Sequence, residues 1–328
     1  MPQAIGVYSK LNFVPEAEFG VTPTEGTVRS LPFNSCTLSA EQNITAPETI
    51  TGTRNPVEPI LGNINVTGDV VIPVDLNAMG WILAMTFGNP TTTDLGDGKY
   101  QHIFKIGNVQ PSVSIERALS NGDYYLDAGC KVSSLGFNFG GDGELVCTMG
   151  MLGCRESVSD EPLDASPTAV VLDRLNNFQA ALKVDTDEVA IATELSLDIN
   201  CGLDEEGYAI GGNGFRVRLN EGILGVTGTM TAFYDDDRFI QKAMNATETA
   251  LQVKLTKGEH SLQIDLPEVL FPRKSPTIEG ATGLMQELDY SAFYGDDANA
   301  SAVMFTLINA TASYEIVEVE SEQEEDNP

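Results

Sequence analysis

Apolar and polar residues alternate with period two along much of this 328-residue chain. That is the pattern of strands with one buried face. Over 65–74, Val66, Val70, Ile72 and Val74 fall on one side, with Asn65, Thr67 and Asp69 on the other. Leu135, Phe137 and Phe139 alternate with Ser134, Gly136 and Asn138. The turn Gly140-Gly141-Asp142-Gly143 follows, then a return strand through Leu145, Cys147, Met149 and Met151, which together read as a hairpin. Leu195, Leu197, Ile199 and Cys201 face away from Glu194, Ser196, Asp198 and Asn200. Further strands are expected from Leu31, and over Tyr100–Ile106, Pro111–Leu119, Val226–Tyr234, Leu251–Leu255, Ser261–Leu266 and Ala302–Ala312; a long loop is expected over 272–299.

Two stretches switch to helical spacing. Leu76, Met79, Leu83 and Phe87 follow Asp75 and stop at Gly88 and Pro90; Phe239, Ile240, Ala243 and Met244 follow Asp235. Asp75 and Asp235 are the expected N-caps, since a carboxylate accepts from the free amides of a first turn. Trp81, the single tryptophan, reads as a core or helix-packing anchor.

These stretches look like one unit written twice. Val66-Thr67-Gly68 is followed by six residues and Asp75; Val226-Thr227-Gly228 is followed by six residues and Asp235. Such a repeat decides the architecture. The expectation is a mainly β chain of two tandem β-sandwich or barrel lobes, each with a flanking α-helix and each of an ordinary domain's size. Expected divisions are an N-terminal arm (1–28), a first lobe (29–155), a linker rich in acids and proline (156–176), a second lobe (177–314) and an acidic C-terminal tail (315–328). The last strand, through Val303-Met304-Phe305-Thr306-Leu307, looks like Val146-Cys147-Thr148-Met149 of the first lobe. The polar connection 40–62 is long for a compact domain, which suggests interaction.

Charge narrows the function. With 48 acids against 18 Lys plus Arg, the net charge is −30. Ordinary nucleic-acid binding, which needs cations to displace counterions from phosphate, is excluded. The five cysteines are odd in number and form no Cys-x-x-Cys, so free thiols in a reducing compartment are expected. No signal peptide and no membrane span is expected.

Catalytic chemistry finds little support. His102 and His260 are the only histidines, and each lies in a strand-like run. Asp235-Asp236-Asp237 lacks the alternate spacing and central glycine of a calcium loop. The glycine runs at 140–143 and 211–214 fit turns rather than phosphate cradles. No cofactor, metal or enzymatic activity is expected. A carboxylate-pair glycosidase is the enzymatic rival, disfavoured by 7% aromatic content.

The stretch Phe13-Val14-Pro15-Glu16-Ala17-Glu18-Phe19-Gly20-Val21-Thr22-Pro23 resembles the Glu-x-x-(Tyr/Phe)-Gly-x-x-Pro opening of tail tube proteins of long-tailed bacteriophages. The later order of polar loop, Gly62–Val74 strand, helix and hairpins is similar to the same family. The resemblance implies a virion tail component, assembled in the host cytoplasm as stacked rings around a channel for ejected DNA. Its partners would be copies of itself, the terminator, tape-measure and distal tail proteins, and double-stranded DNA in transient passage, with no membrane. Two lobes per chain would let three copies form a ring of pseudo-sixfold symmetry; hexamers are the alternative. Acids on polar strand faces, Asp69, Glu194 and Asp198, would then be candidates for the channel wall, with ordinary outer surface as the other possibility. The arm, the 40–62 loop and the acidic end would be candidates for contact between rings. A decoration protein or adhesin built from β-sandwiches is the structural rival.

Overall fold

The computed structural model describes residues 3–189, 191–278, 280–281, 283–295 and 300–316. The acidic tail from 317 onward lies outside them. Strands dominate, and the two helices are α1 (Ala78–Phe87) and α2 (Arg238–Met244).

A central run of strands pairs in the order Ser39–Thr45, Ile60–Pro73, Val146–Gly153, the C-terminal half of Tyr124–Gly140, Ala192–Asn200, Gly225–Phe233 and Met285–Ala292. The strand Tyr124–Gly140 is 17 residues long and serves two sheets. Its N-terminal half pairs with Val113–Ala118 and Arg155–Ser159, and Val113–Ala118 carries Lys10–Pro15 on its far edge. On the other side, the end of His260–Leu270 touches Met285–Ala292 at Val269 and Leu270. The body of that strand lies between Thr249–Lys257 and Met304–Asn309. Ala180–Val184 extends this sheet beyond Thr249–Lys257, and Lys99–Lys105 extends it beyond Met304–Asn309.

Several pairings within residues 10–159 have counterparts of matching register within 180–309, although that of Thr91–Gly96 with Lys99–Lys105 has none. Cys36 opposes Val70 and Ala40 opposes Val66; Leu195 opposes Met230 and Ile199 opposes Val226. Gly68 opposes Met151 as Gly228 opposes Tyr290. The register slips between Val113↔Cys130 and Ile115↔Asp127, and slips alike between Thr249↔Val269 and Leu251↔Leu266. One hydroxyl contact also recurs: Thr37 Oγ1 accepts from the Asp69 amide, and Ser196 Oγ accepts from the Thr229 amide, each at 2.9 Å. The glycine of Val-Thr-Gly has the same cause in both places. A Cβ on Gly68 would strike the Thr37–Leu38 backbone, and one on Gly228 would strike the Ser196 carbonyl.

The helices differ. All ten residues of α1 are buried, so it is enclosed rather than flanking, and its polar stripe is absent. Trp81 packs against Phe13 and Tyr314 (ring centroids 6.0 and 5.0 Å), and the Arg29 guanidinium lies 3.9 Å from the center of its ring. On α2, Phe239 alone is buried. Apolar side chains from all the sheets and from α1 join one core cluster.

Several expected segments take a more definite form. Residues 10–15 of the arm are a strand with Leu11–Val14 buried. Of the expected linker, Arg155–Ser159 is a strand, and Thr168–Ala169 pairs in parallel with Arg29–Ser30. Within the expected loop 272–299 lies the strand Met285–Ala292. The likeness of 303–307 to 146–149 is not matched in pairing. Val146–Gly153 sits beside Ile60–Pro73, whereas Met304–Asn309 sits beside Lys99–Lys105.

Candidate functional site

The central run of strands has one apolar and one polar face, as alternation requires. Val70, Ile72, Cys147, Met149, Leu135, Phe137, Leu195, Leu197, Met230 and Leu288 turn inward and are buried. The other face is crossed by rows of directly opposed residues. One row runs Thr148–Gly136–Asp198–Thr227–Ser291. Another runs Asp69–Gly150–Ser134–Asn200. Glu194, level with Gly140 and Thr231, stands two alternations from Asp198 on the same strand. Asp69, Glu194 and Asp198 therefore share one exposed face, spread across strands from both halves of the chain.

Sequence reasoning missed two acids of this face. Glu287 and Asp289 are exposed between buried Gln286, Leu288 and Tyr290. That alternation was the available signal, hidden by the surrounding glycines and prolines. Across the seven strands the only Lys or Arg is Lys131, which is buried and donates to Glu221 at 2.6 Å. Lys274 reaches in from a neighbouring segment, 2.7 Å from Glu287 and 3.9 Å from Asp289. The face is thus polar, flat with threonine, serine and glycine, and net anionic.

Asp75 and Asp235 have separate surroundings. Asp75 Oδ1 accepts from the amides of Asn77 (2.6 Å) and Ala78 (2.7 Å) at the start of α1. Burial pushes its carboxyl up to about 6 against the opposing pull of those amides. α2 opens at Arg238, whose amide donates to Asp236 Oδ1 at 3.0 Å; Asp235 lies one residue earlier.

The Glu-x-x-Phe-Gly stretch forms a buried joint. Glu16 accepts from the amides of Gly20 and Gly129 (both 2.8 Å) and the hydroxyls of Ser112 (2.7 Å) and Ser114 (2.6 Å). Gly20 and Gly129 both have positive φ, at 74° and 66°. The motif therefore fastens the N-terminal strand to the base of the long shared strand. Nearby, Asp127 is fully buried and its carboxyl is pushed up to about 7 by burial, although Arg117 lies 3.0 Å away. Burial also pushes up the thiols of Cys130, Cys147, Cys154 and Cys201, the last to about 12.

His102 is enclosed between Thr92 Oγ1 (2.9 Å) and the Thr311 carbonyl (2.8 Å), which accounts for both its nitrogens. Among the described residues no cluster of three or more His, Cys, Asp or Glu side chains could hold a metal ion. Among them, too, no helix is long and apolar enough to cross a membrane.

No curated protein matches the sequence closely enough to count as a relative. The model of a family described as phage tail tube protein matches residues 6–292, from the approach to the Glu16 motif through the last strand of the polar sheet. The chain belongs to the phage tail tube protein family, a structural component of virion tails.

Proposed function

We propose that this chain polymerises into stacked rings forming the tail tube, with the polar sheet face lining a channel through which DNA is ejected. The observation that carries this reading is the continuous acidic face spanning both halves of the chain. Acidic walls repel the duplex over roughly one Debye length, about 8 Å at physiological salt, so DNA passes without being gripped. In this reading the chain is two tandem lobes, an arm and an acidic tail. The recurrence of strand order, register slip and the Thr37/Ser196 hydroxyl contact supports the two-lobe part of it. Three chains then supply six lobes per ring, in preference to six chains. The projecting 42–62 hairpin, with exposed Ile44, Ile50, Ile60 and Leu61, is available for the next ring. Assembly takes place in the host cytoplasm, alongside terminator, tape-measure and distal tail proteins.

Negative-stain images of purified protein test the assembly. Rings or tubes with a central hole are expected; particles that stay monomeric at high concentration would favour a decoration protein or adhesin. Asp69→Lys, Glu194→Lys and Asp198→Lys together test the lining. Tubes should still form while DNA passage slows; unchanged infectivity would move these acids to the outer surface.

A further inference from the structure

The strands Lys10–Pro15 and Val113–Ala118 turn Leu11, Phe13 and Ile115 into the core, and Lys10, Asn12, Glu116 and Ala118 to the opposite face. Asn12 stands directly opposite Glu116, and Ala118 opposite Tyr124 of the next strand. The segment 162–167 lies over this face. The Leu163 amide donates to Glu116 Oε2, and Asn12 Nδ2 donates to Glu116 Oε1 at 2.8 Å. Strands and segment enclose a cavity of about 210 Å³. Tyr8, Leu119, Tyr124, Pro162 and Pro167 wall it, and Asn12 and Glu116 belong to its lining.

Two groups in this lining are left with unmet demands. Asn12 is 2% exposed, and its Oδ1 has no hydrogen-bond partner among the described residues. A buried acceptor left in that way costs stability. Glu116 is 1% exposed and, among the described residues, forms no ion pair; buried carboxylates are ordinarily paired. The sheet itself does not require these two residues. Phe13 opposes Ile115 as Val184 opposes Leu251, and at the matching neighbouring position Lys183 opposes Gln252.

We propose that this cavity binds a small alkylammonium ion. Its N–H groups donate to Asn12 Oδ1 and the Glu116 carboxylate, and its carbon chain lies against Tyr8, Tyr124 and the two prolines. An acceptor and a carboxylate call for a donor, and the missing counter-charge calls for a positive one. The carbon-rich walls suit an organic cation, and the tyrosine rings favour it further; a bare divalent ion would demand a shell of oxygens instead. The cavity is smaller than the roughly 300 Å³ at which drug-sized pockets begin, so the ligand has few heavy atoms. The net charge of −30 concentrates small cations around the chain. Because both acceptors are shut from solvent, entry requires the segment 162–167 to lift, and the bound ion then fastens it to the strands. Lys10 is the one cation in the lining; it is exposed, and there it opposes an incoming ammonium.

Calorimetric melting of the full chain tests the site. The protein is titrated with n-butylammonium chloride and, at equal ionic strength, with tetramethylammonium chloride. The two cations carry the same charge, but only the first has N–H donors. A saturating rise in melting temperature is expected with butylammonium and not with tetramethylammonium. Glu116→Gln keeps the shape of the side chain without its charge and should weaken binding by roughly tenfold or more. Tyr8→Ala, on an exposed wall, should weaken it severalfold, and Lys10→Met should tighten it. Both of these positions are exposed, so they carry the test even where Glu116→Gln fails to fold. Absence of a saturating rise, or an equal rise with both cations, would overturn the site. So would Tyr8→Ala and Lys10→Met titrations that superpose on wild type, since mere screening of an acidic surface gives that result.

Discussion

The ring of Tyr314 occupies the space that a side chain on Gly80 would need: a Cβ at that position would fall inside the ring's van der Waals envelope. Tyr314 is fully buried there, its hydroxyl bonded to Asn309 Nδ2 at 2.6 Å and its ring edge-on to Trp81 and His102. The chain after the final strand is thereby locked onto α1. Gly80→Ala is expected to destabilise the fold by roughly 3 kcal/mol through overpacking. Tyr314→Ala should cost a similar amount through the cavity it leaves. The double variant should cost clearly less than the sum, because removing the ring makes room for the methyl. Urea unfolding of the four proteins measures this; strict additivity would show that the two positions do not share the space.

Removing the Glu16 acceptor leaves two buried amides and two hydroxyls without it. Glu16→Ala is expected to cost roughly 3–5 kcal/mol. Glu16→Gln keeps one acceptor oxygen but turns an amide group toward donors, so it should fall between wild type and alanine. A Glu16→Ala protein with an unchanged unfolding midpoint would remove the motif from the list of structural joints.

Asp75 and Asp127 give the fold a specific pH signature. Burial raises both carboxyls, to about 6 and about 7, so the folded chain holds these protons more tightly than the unfolded chain does. The resulting stability is complete below the ordinary carboxylate range. It is lost as pH rises through about 6 for Asp75 and about 7 for Asp127. Asp75→Asn retains an oxygen for the Asn77 and Ala78 amides, and should flatten the fall in melting temperature between about pH 4 and about pH 6. Asp127→Asn should flatten it up to about pH 7. Calorimetry across this range decides; a variant curve parallel to wild type would mean that the carboxyl concerned is ionised throughout.

The thiols divide cleanly. Cys130, Cys147, Cys154 and Cys201 are buried, while Cys36 is half-exposed on an edge strand. Brief alkylation of the folded monomer should modify Cys36 alone, and all five in denaturant. Intact-mass spectrometry counts the adducts, and rapid labelling of any second site would contradict the packing described here.

How much of this was legible in the sequence depended on the local signal. The hairpin at Gly140–Gly143 was readable because period-two alternation ran into a glycine turn, and the strand at 65–74 because alternation gave way to helical spacing after Asp75. A short acid ahead of a helical run pointed to Asp75; its carboxylate meets the amides of Asn77 and Ala78, while the residue that flanks α1 is Asn77. Asp236, rather than Asp235, meets the first amide of α2, since three consecutive aspartates leave the start of that helix undetermined by side-chain type alone. The enclosure of α1 was less legible. Met79, Leu83 and Phe87 mark one buried side, but Ala78, Gly80 and Thr86 are buried too, and Gly80 is covered by Tyr314 from the far end of the described chain. Asp69, Glu194 and Asp198 were singled out one by one; that they share a face depends on strand order, which no local pattern carries. The role of Glu16 was likewise invisible, because its partners Ser112, Ser114 and Gly129 come from two strands far along the chain.

The strand Tyr124–Gly140 passes without a break from the sheet of Val113–Ala118 and Arg155–Ser159 into the polar one. Load applied to either layer is therefore carried by covalent backbone into the other, rather than by side-chain packing that could slide. Under bending strain the two layers of one subunit would therefore move together as a unit, and deformation would fall on contacts made by side chains.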